Sequence, residues 1–192
     1  MSRHRFAVTG AQGVGKSTLA RDLFDLCRAR TNVTCELLQG IGQRVKDAGY
    51  PLGLAADQGS IFAFAAEHLR RERTCIAELT IQDRCLLDLL AYVRVLDLLD
   101  QAALNLLREI ALTSFSNIDL VFYVPICDAI RNTHTIVETA EFRARIDAAI
   151  PIVAGELGIR IASVEGEPAE RAEQAYSLLA LAAPETVSTR PS

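Results

Sequence analysis

Three things are missing from this 192-residue sequence, and each absence excludes a class of protein. There is no paired-cysteine motif. Cys27, Cys35, Cys75, Cys85 and Cys127 form an odd set without C-x-x-C spacing, which argues against a disulfide framework or a zinc site and for reduced, mostly buried thiols. There is no basic tract either. Twenty Lys and Arg face 24 Asp and Glu, for a net charge of −4 and a pI near 5.4, so a general binder of nucleic acid or anionic membrane is not expected. Finally, no apolar run is long enough to cross a bilayer. The most apolar stretch, Leu86–Leu99, is broken by Asp88, Arg94 and Asp97, and the basic start Met1-Ser-Arg-His-Arg5 is not followed by a signal-peptide core. The expectation is a cytoplasmic protein.

What is present is an ordinary globular composition, 50% apolar and 23% charged. At about 100–200 residues per domain, the length predicts a single domain over 1–183, followed by a frayed tail at 184–192. A domain of this size buries roughly 70% of its unfolded surface, enough for a core without staples. No internal repeat or low-complexity segment appears.

Strand and helix patterns alternate along the chain. Phe6–Thr9, Val33–Leu38, Leu79–Asp83, Leu120–Val124 and Gly158–Val164 read as strands. Helical periods cover Lys16–Arg30, Asp57–Ile76, Leu86–Asp100, Ala102–Leu112, the stripe from Phe142 to Val153, and Pro168–Leu181. Thr135-Ile-Val-Glu138 has capping-box spacing ahead of the Phe142 stripe. Gly40 and Gly42 loosen the chain after the second strand, Gly49-Tyr-Pro-Leu-Gly53 reads as a loop, and the arginines of His68-Leu-Arg-Arg-Glu-Arg73 as a solvated face. Such alternation predicts a parallel sheet covered on both faces.

The most specific signal follows the first strand. Gly10-Ala-Gln-Gly-Val-Gly15-Lys16-Ser17-Thr18 fits Gly-x-x-x-x-Gly-Lys-Ser/Thr, a pattern that arises by chance in about 0.6% of chains this long. Glycines let the backbone wrap closely enough for its amides, here those of Gly10, Gln12, Gly13, Val14 and Gly15 through Thr18, to donate to phosphate oxygens. The helix starting near Lys16 directs its positive end at the same anion. Lys16 would reach the outer phosphates and the Ser17 hydroxyl would ligate magnesium. The loop predicts binding of a nucleoside triphosphate.

Asp83-Arg84 ends the third strand, at the sheet edge where parallel folds carry their chemistry. A carboxylate there can join the magnesium shell or take a proton from an attacking hydroxyl. A guanidinium can clamp phosphate or neutralise the transferred group. On the following helix, Arg94 and Asp97 mark the solvent side. Asp88 falls among leucines, so it faces a pocket or serves only the helix start.

The stretch Gly10–Thr18 together with Asp83-Arg84-Cys-Leu-Leu-Asp88-Leu-Leu-Ala-Tyr92 resembles the AAA-type, NadR-like P-loop proteins, a group of ATPases and kinases. The similarity continues through Tyr123-Val-Pro-Ile126, Asp128–Arg131, Glu141-Phe-Arg143, Ile146-Asp147 and Val164-Glu-Gly166, nearly the whole chain. Members include ribosylnicotinamide kinases, and the wider fold is similar to thymidylate and deoxynucleoside kinases. The resemblance implies a P-loop three-layer αβα sandwich with a five-stranded parallel sheet in the order 2-3-1-4-5. It also implies a lid over 128–135 carrying Arg131, an acceptor side near Arg44, Lys46 and Tyr50, and a base site wrapped by Glu165 and Gly166. His134 in the lid reads either as a base or as a loop hydrogen-bonding group. Gln39 stands where family members often carry an acidic residue, and the segment from Pro125 to Arg131 is short for the family.

Together these readings predict a magnesium- and ATP-dependent phosphotransferase, with GTP as the other nucleotide and a small nucleoside- or nucleotide-like acceptor. Its catalytic set is Lys16, Asp83, Arg84 and Arg131. Arg44, Arg84 and Asp88 are predicted to touch the acceptor, and Ser17 and Asp83 the metal. The alternative is a nucleotide-hydrolysing switch acting on a protein partner.

Overall fold

The computed structural model describes residues 3–127 and 139–185. The elements run β1 (His4–Thr9), α1 (Lys16–Arg30), β2 (Cys35–Leu38), α2 (Ile41–Asp47), a 3-10 turn (Gly53–Ala55), α3 (Gln58–Thr74), β3 (Leu79–Asp83), α4 (Leu86–Leu96), α5 (Gln101–Phe115), β4 (Leu120–Tyr123), α6 (Ala140–Glu156), β5 (Ile161–Ser163) and α7 (Pro168–Ala182). The five strands form one all-parallel sheet in the order β2-β3-β1-β4-β5, as the resemblance implies.

Strand alternation builds the two faces of this sheet. Phe6, Val8, Ile81 and Phe122 point to one side, where Leu19, Leu23 and Cys27 of α1, Ile146 and Ile150 of α6 and Leu179 of α7 cover them. Ala7 and Val121 point to the other, under Ile61 and Phe64 of α3, Leu86, Leu89 and Leu90 of α4, and Leu107 and Phe115 of α5. Burying side chains of this size contributes about 1.5–3 kcal/mol each.

Local chemistry sets the helix ends. Asp57 caps α3 by accepting from the Ser60 amide at 2.8 Å, while the Asp57 amide donates back to Ser60 Oγ at 2.7 Å. Asp100 caps α5. Asp97 adopts a left-handed conformation, φ 51°, so α4 stops at Leu96 rather than reaching Asp100. Thr139 caps α6; the expected capping box at Thr135–Glu138 lies outside the described residues. The strand expected from Gly158 to Val164 shortens to Ile161–Ser163, because Gly158 at φ 66° still belongs to the turn that closes α6.

Two features go beyond the linear pattern. Between Gly40 and the loop at Gly49–Gly53 lies a short helix, α2, whose Ile41 and Val45 are buried one helical turn apart. Of the α3 arginines, Arg70 and Arg73 are exposed, as expected, and Arg71 is half-buried, while the neighbouring His68 and Glu72 are buried. Glu72 accepts from Ser114 Oγ of α5 at 2.7 Å and from Gln82 Nε2 of β3 at 3.2 Å. Polar partners that the linear pattern does not reveal make this inward turn tolerable.

Candidate active site

Parallel register brings the carboxyl ends of three strands together. Val8 lies beside Asp83, and Thr9 beside Tyr123. The chain leaves β1 into the glycine loop, β3 into Arg84, and β4 into Val124, which makes the crevice where such sheets bind ligands.

The loop needs its glycines. Gly10 has φ 151°, and a Cβ there would collide with the Val124 carbonyl oxygen and lie 2.9 Å from Val14 Cγ2. Gly15 has φ 92° and is the residue before α1, with the Arg171 guanidinium packed against it. The first turn of α1 exposes Ser17 and Thr18, while Lys16 is only 4% exposed. The Lys16 ammonium lies over the loop and donates to the carbonyls of Gly10 at 2.7 Å and Ala11 at 2.5 Å.

Two arginines absent from the sequence reading of the loop hold it from outside. Arg143 Nε of α6 donates to the Gln12 carbonyl at 2.7 Å, and Arg171 Nη1 of α7 donates to the Val14 carbonyl at 2.8 Å. Arg171 is 4% exposed, and among the described residues no carboxylate pairs with it. Neither belongs to a loop motif. Their roles arise because α6 and α7 fold back over β1 from 131 and 157 residues away in sequence.

Opposite the loop, Arg84 takes φ 82°, a left-handed conformation that costs a non-glycine residue about 1–3 kcal/mol, and its amide donates to the Val8 carbonyl at 3.1 Å. Asp88 sits in the first turn of α4, 3% exposed. Asp88 caps the helix start and also lines a cavity. One oxygen, Oδ2, accepts from the Cys85 amide and from Thr9 Oγ1, each at 3.1 Å, fixing the helix start to β1. The other, Oδ1, is 3.6 Å from Arg84 Nη1, beyond hydrogen-bond length. Oδ1 of Asp88 and Oδ1 of Asp83 are both buried without a hydrogen-bond donor.

These groups line one cavity of about 550 Å³, bounded by Gln12 of the loop, by Asp83, Arg84, Asp88, Leu89 and Tyr92, by Ile61 and Phe64 of α3, and by α2 with the 3-10 turn. Gln43 and Lys46 of α2 face the cavity, whereas Arg44 lies outside its lining, 3.8 Å from Glu67. Tyr50 is likewise outside the lining and exposed. Past β5, Gln174 brackets Glu165, accepting from its amide at 3.2 Å and donating to its carbonyl at 3.0 Å, and Gly166 turns the chain at φ 98°. Arg131 and His134 lie outside the described residues.

For a divalent cation, the available donors are the Ser17 hydroxyl and the Asp83 carboxylate with its donorless oxygen. Hard oxygen ligands of this kind fit magnesium, which takes much of its shell from phosphate and water. Among the described residues, no cluster of three or more His, Cys, Asp or Glu side chains could hold a metal without such help. All five cysteines are free. Burial, aided by neighbouring Cys35, pushes the Cys27 thiol up to about 12. Burial followed by the Asp88 charge raises Cys85 well above its ordinary value, so burial favours the protonated thiol at both.

A family model described as an AAA domain matches residues 5–171. The chain belongs to this AAA-domain family. No curated protein matches the sequence. Solved structures give the fold more sharply. A NadR protein in complex with NR superposes with a TM-score of 0.69 at 13% identity, over 99% of this chain and 52% of that one. Thymidylate kinase from Ehrlichia chaffeensis gives 0.66 at 14% identity, over 93% and 100%. Deoxyadenosine kinase from M. mycoides gives 0.60 at 15% identity, over 91% and 98%. The chain thus spans about half the length of the NadR chain and nearly all of the two nucleoside and nucleotide kinases. This AAA-domain protein has the P-loop kinase fold, and none of its described helices is long and apolar enough to cross a membrane.

Proposed function

We propose that the chain is an ATP- and magnesium-dependent phosphotransferase acting on a small nucleoside- or nucleotide-like acceptor, with residues 1–183 as one catalytic unit. The observation that carries this reading is the cavity of about 550 Å³ that joins the phosphate loop, through Gln12, to Asp83 and Arg84. A hydrolase needs room only for water there. A walled space large enough for a nucleoside favours transfer over the alternative, a hydrolysing switch acting on a protein partner.

In this reading the amides of the glycine loop and Lys16 bind the triphosphate, with phosphate oxygens displacing the neutral carbonyls that Lys16 now contacts. Ser17 and Asp83 would hold magnesium, which supplies charge neutralisation across the phosphates when bound. The acceptor enters from the α2–α3 side and is aligned by Arg84 and Asp88. Asp83 accepts the proton of the attacking hydroxyl. Arg84, with Arg131 from the connection after β4, stabilises charge on the moving phosphoryl group. Glu165 and Gly166 border the base, where ATP and GTP would be told apart through backbone contacts.

The test is a screen of nucleosides and nucleotides for ADP release above the no-acceptor background, with the phosphorylated product identified. Slow hydrolysis unchanged by every acceptor would replace transfer with the switch.

A further inference from the structure

We infer that Arg143 and Arg171 are positioning residues for the nucleotide: they strengthen the loop's grip on phosphate through the loop's own peptide bonds, and bound phosphate in turn tightens their hold on the loop. The inference rests on the triphosphate-binding part of the reading above, not on phosphoryl transfer.

The two contacts fall on alternate residues of the loop. Arg143 Nε donates to the Gln12 carbonyl at 2.7 Å, and Arg171 Nη1 to the Val14 carbonyl at 2.8 Å. A trans peptide group points its C=O and its N–H in opposite directions. The far ends of these two peptide groups are the amides of Gly13 and Gly15, which the loop motif assigns to phosphate. Both glycines are left-handed, φ 77° and 92°, a conformation from which neighbouring amides converge on an anion. Each arginine therefore stands behind a phosphate donor, on the side away from the ligand. A cation on the carbonyl oxygen polarises the peptide group and makes its N–H the stronger donor.

Charge agrees with this placement. Arg30, Arg70 and Arg94 pair with glutamates, whereas among the described residues no carboxylate lies within ion-pair distance of Arg143 or Arg171. Arg171 is 4% exposed and its Nε has no hydrogen-bond partner. Its guanidinium lies against Gly15, where a Cβ would come within 3.3 Å of Nη1 and 3.4 Å of Nη2. A neutral amide side chain could hold a carbonyl equally well. A buried cation without a counter-charge is costly, and a polyphosphate on the inner side of the loop supplies that charge one peptide group away. Coupling of this kind is reciprocal. What the arginines add to phosphate affinity, bound phosphate adds to the docking of α6 and α7 on the loop.

The test uses the intact chain with magnesium and three probes, ATP, ADP and adenosine, titrated by calorimetry and followed by amide NMR and hydrogen exchange. Arg143→Met and Arg171→Met should each weaken ATP about tenfold, ADP less and adenosine least. Lysine at either position should recover most of the loss, since an ammonium also donates to a carbonyl. Should a methionine variant fail to fold, glutamine, which reaches the carbonyl without charge, replaces it with the same expected losses. In the ATP complex, Arg143→Met should move the Gly13 amide proton upfield and leave Gly15 in place, and Arg171→Met the reverse. ATP, but not adenosine, should slow amide exchange in α6 and α7 of the unaltered chain at least about threefold. Equal losses for ATP and adenosine, lysine variants as weak as the methionine ones, or no ATP-dependent protection of either helix would overturn the inference. So would weakened ATP binding with the Gly13 and Gly15 amides unmoved, which would put the guanidinium on the phosphate itself. In each of these cases the unaltered chain still binds ATP, and only the inference falls. An unaltered chain that binds no ATP would take down the triphosphate reading with it.

Discussion

At the scale of single residues, the candidate site divides into groups that bind and groups that react. Lys16 covers the loop from within, and no other lysine lies in the loop. Lys16→Ala is expected to weaken triphosphate binding or turnover at least about tenfold in a folded protein, measured by titration and steady-state kinetics. Asp83 lines the cavity. Asp83→Asn should therefore leave ATP binding nearly intact while acceptor-dependent transfer falls about 100-fold or more in single-turnover assays, the scale for losing a positioned base. Equal loss of binding and transfer would assign Asp83 to the nucleotide instead. Arg84 carries backbone strain at φ 82°, and strain of this kind gathers where a side chain must be aimed.

Single elements carry a different kind of information. Helix α3 has two faces: Phe64 looks into the cavity, and His68, edge-on to Phe64 at 6.2 Å, sits behind it with Glu72. His68 is fully buried, its Nδ1 3.8 Å from Glu72 Oε1. Burial holds its imidazole below the ordinary range, opposed in part by the charges of Glu72 and Asp88. The sign follows from linkage. An unfolded chain protonates this histidine as pH falls through about 6.5, whereas the folded chain resists, so stability is full above that pH and declines below it. Thermal midpoints should drop between about pH 7.5 and 5.5, and His68→Gln should flatten that drop. An unchanged slope in the variant would assign the pH dependence to other groups. Helix α2 supplies the cavity's outer wall, yet its seven residues hold too little periodicity to separate it from the glycine-rich connections on either side.

At the scale of the whole molecule, the loop is braced by the last helix of the chain. Arg171 is a buried cation whose described partner is a neutral carbonyl, a costly arrangement that an anion on the other side of the loop would relieve. Arg171→Met is expected to leave the thermal midpoint unchanged or higher while weakening nucleotide binding about tenfold, most for ATP, less for ADP and least for adenosine. Equal losses for all three would make Arg171 a packing residue only. Local signals sufficed for much of this protein. The glycine loop, Lys16, Ser17, the Asp83-Arg84 pair, the inward side of α4 and the bounds of α1 are legible because each depends on neighbours within a turn or a strand of sequence. The strand order came from family resemblance, since no local pattern encodes which strands become neighbours. Tertiary structure alone decided the rest. Contacts across more than 100 residues placed Arg143 and Arg171 on the loop, and the buried partners Gln82 and Ser114 drew Glu72 inward. The packing of α2 on α3, with α4 lining the cavity too, made a space that Lys46 lines and Arg44 does not. Sequence periodicity states which face of an element is apolar, but what a polar side chain meets depends on elements that only folding brings beside it.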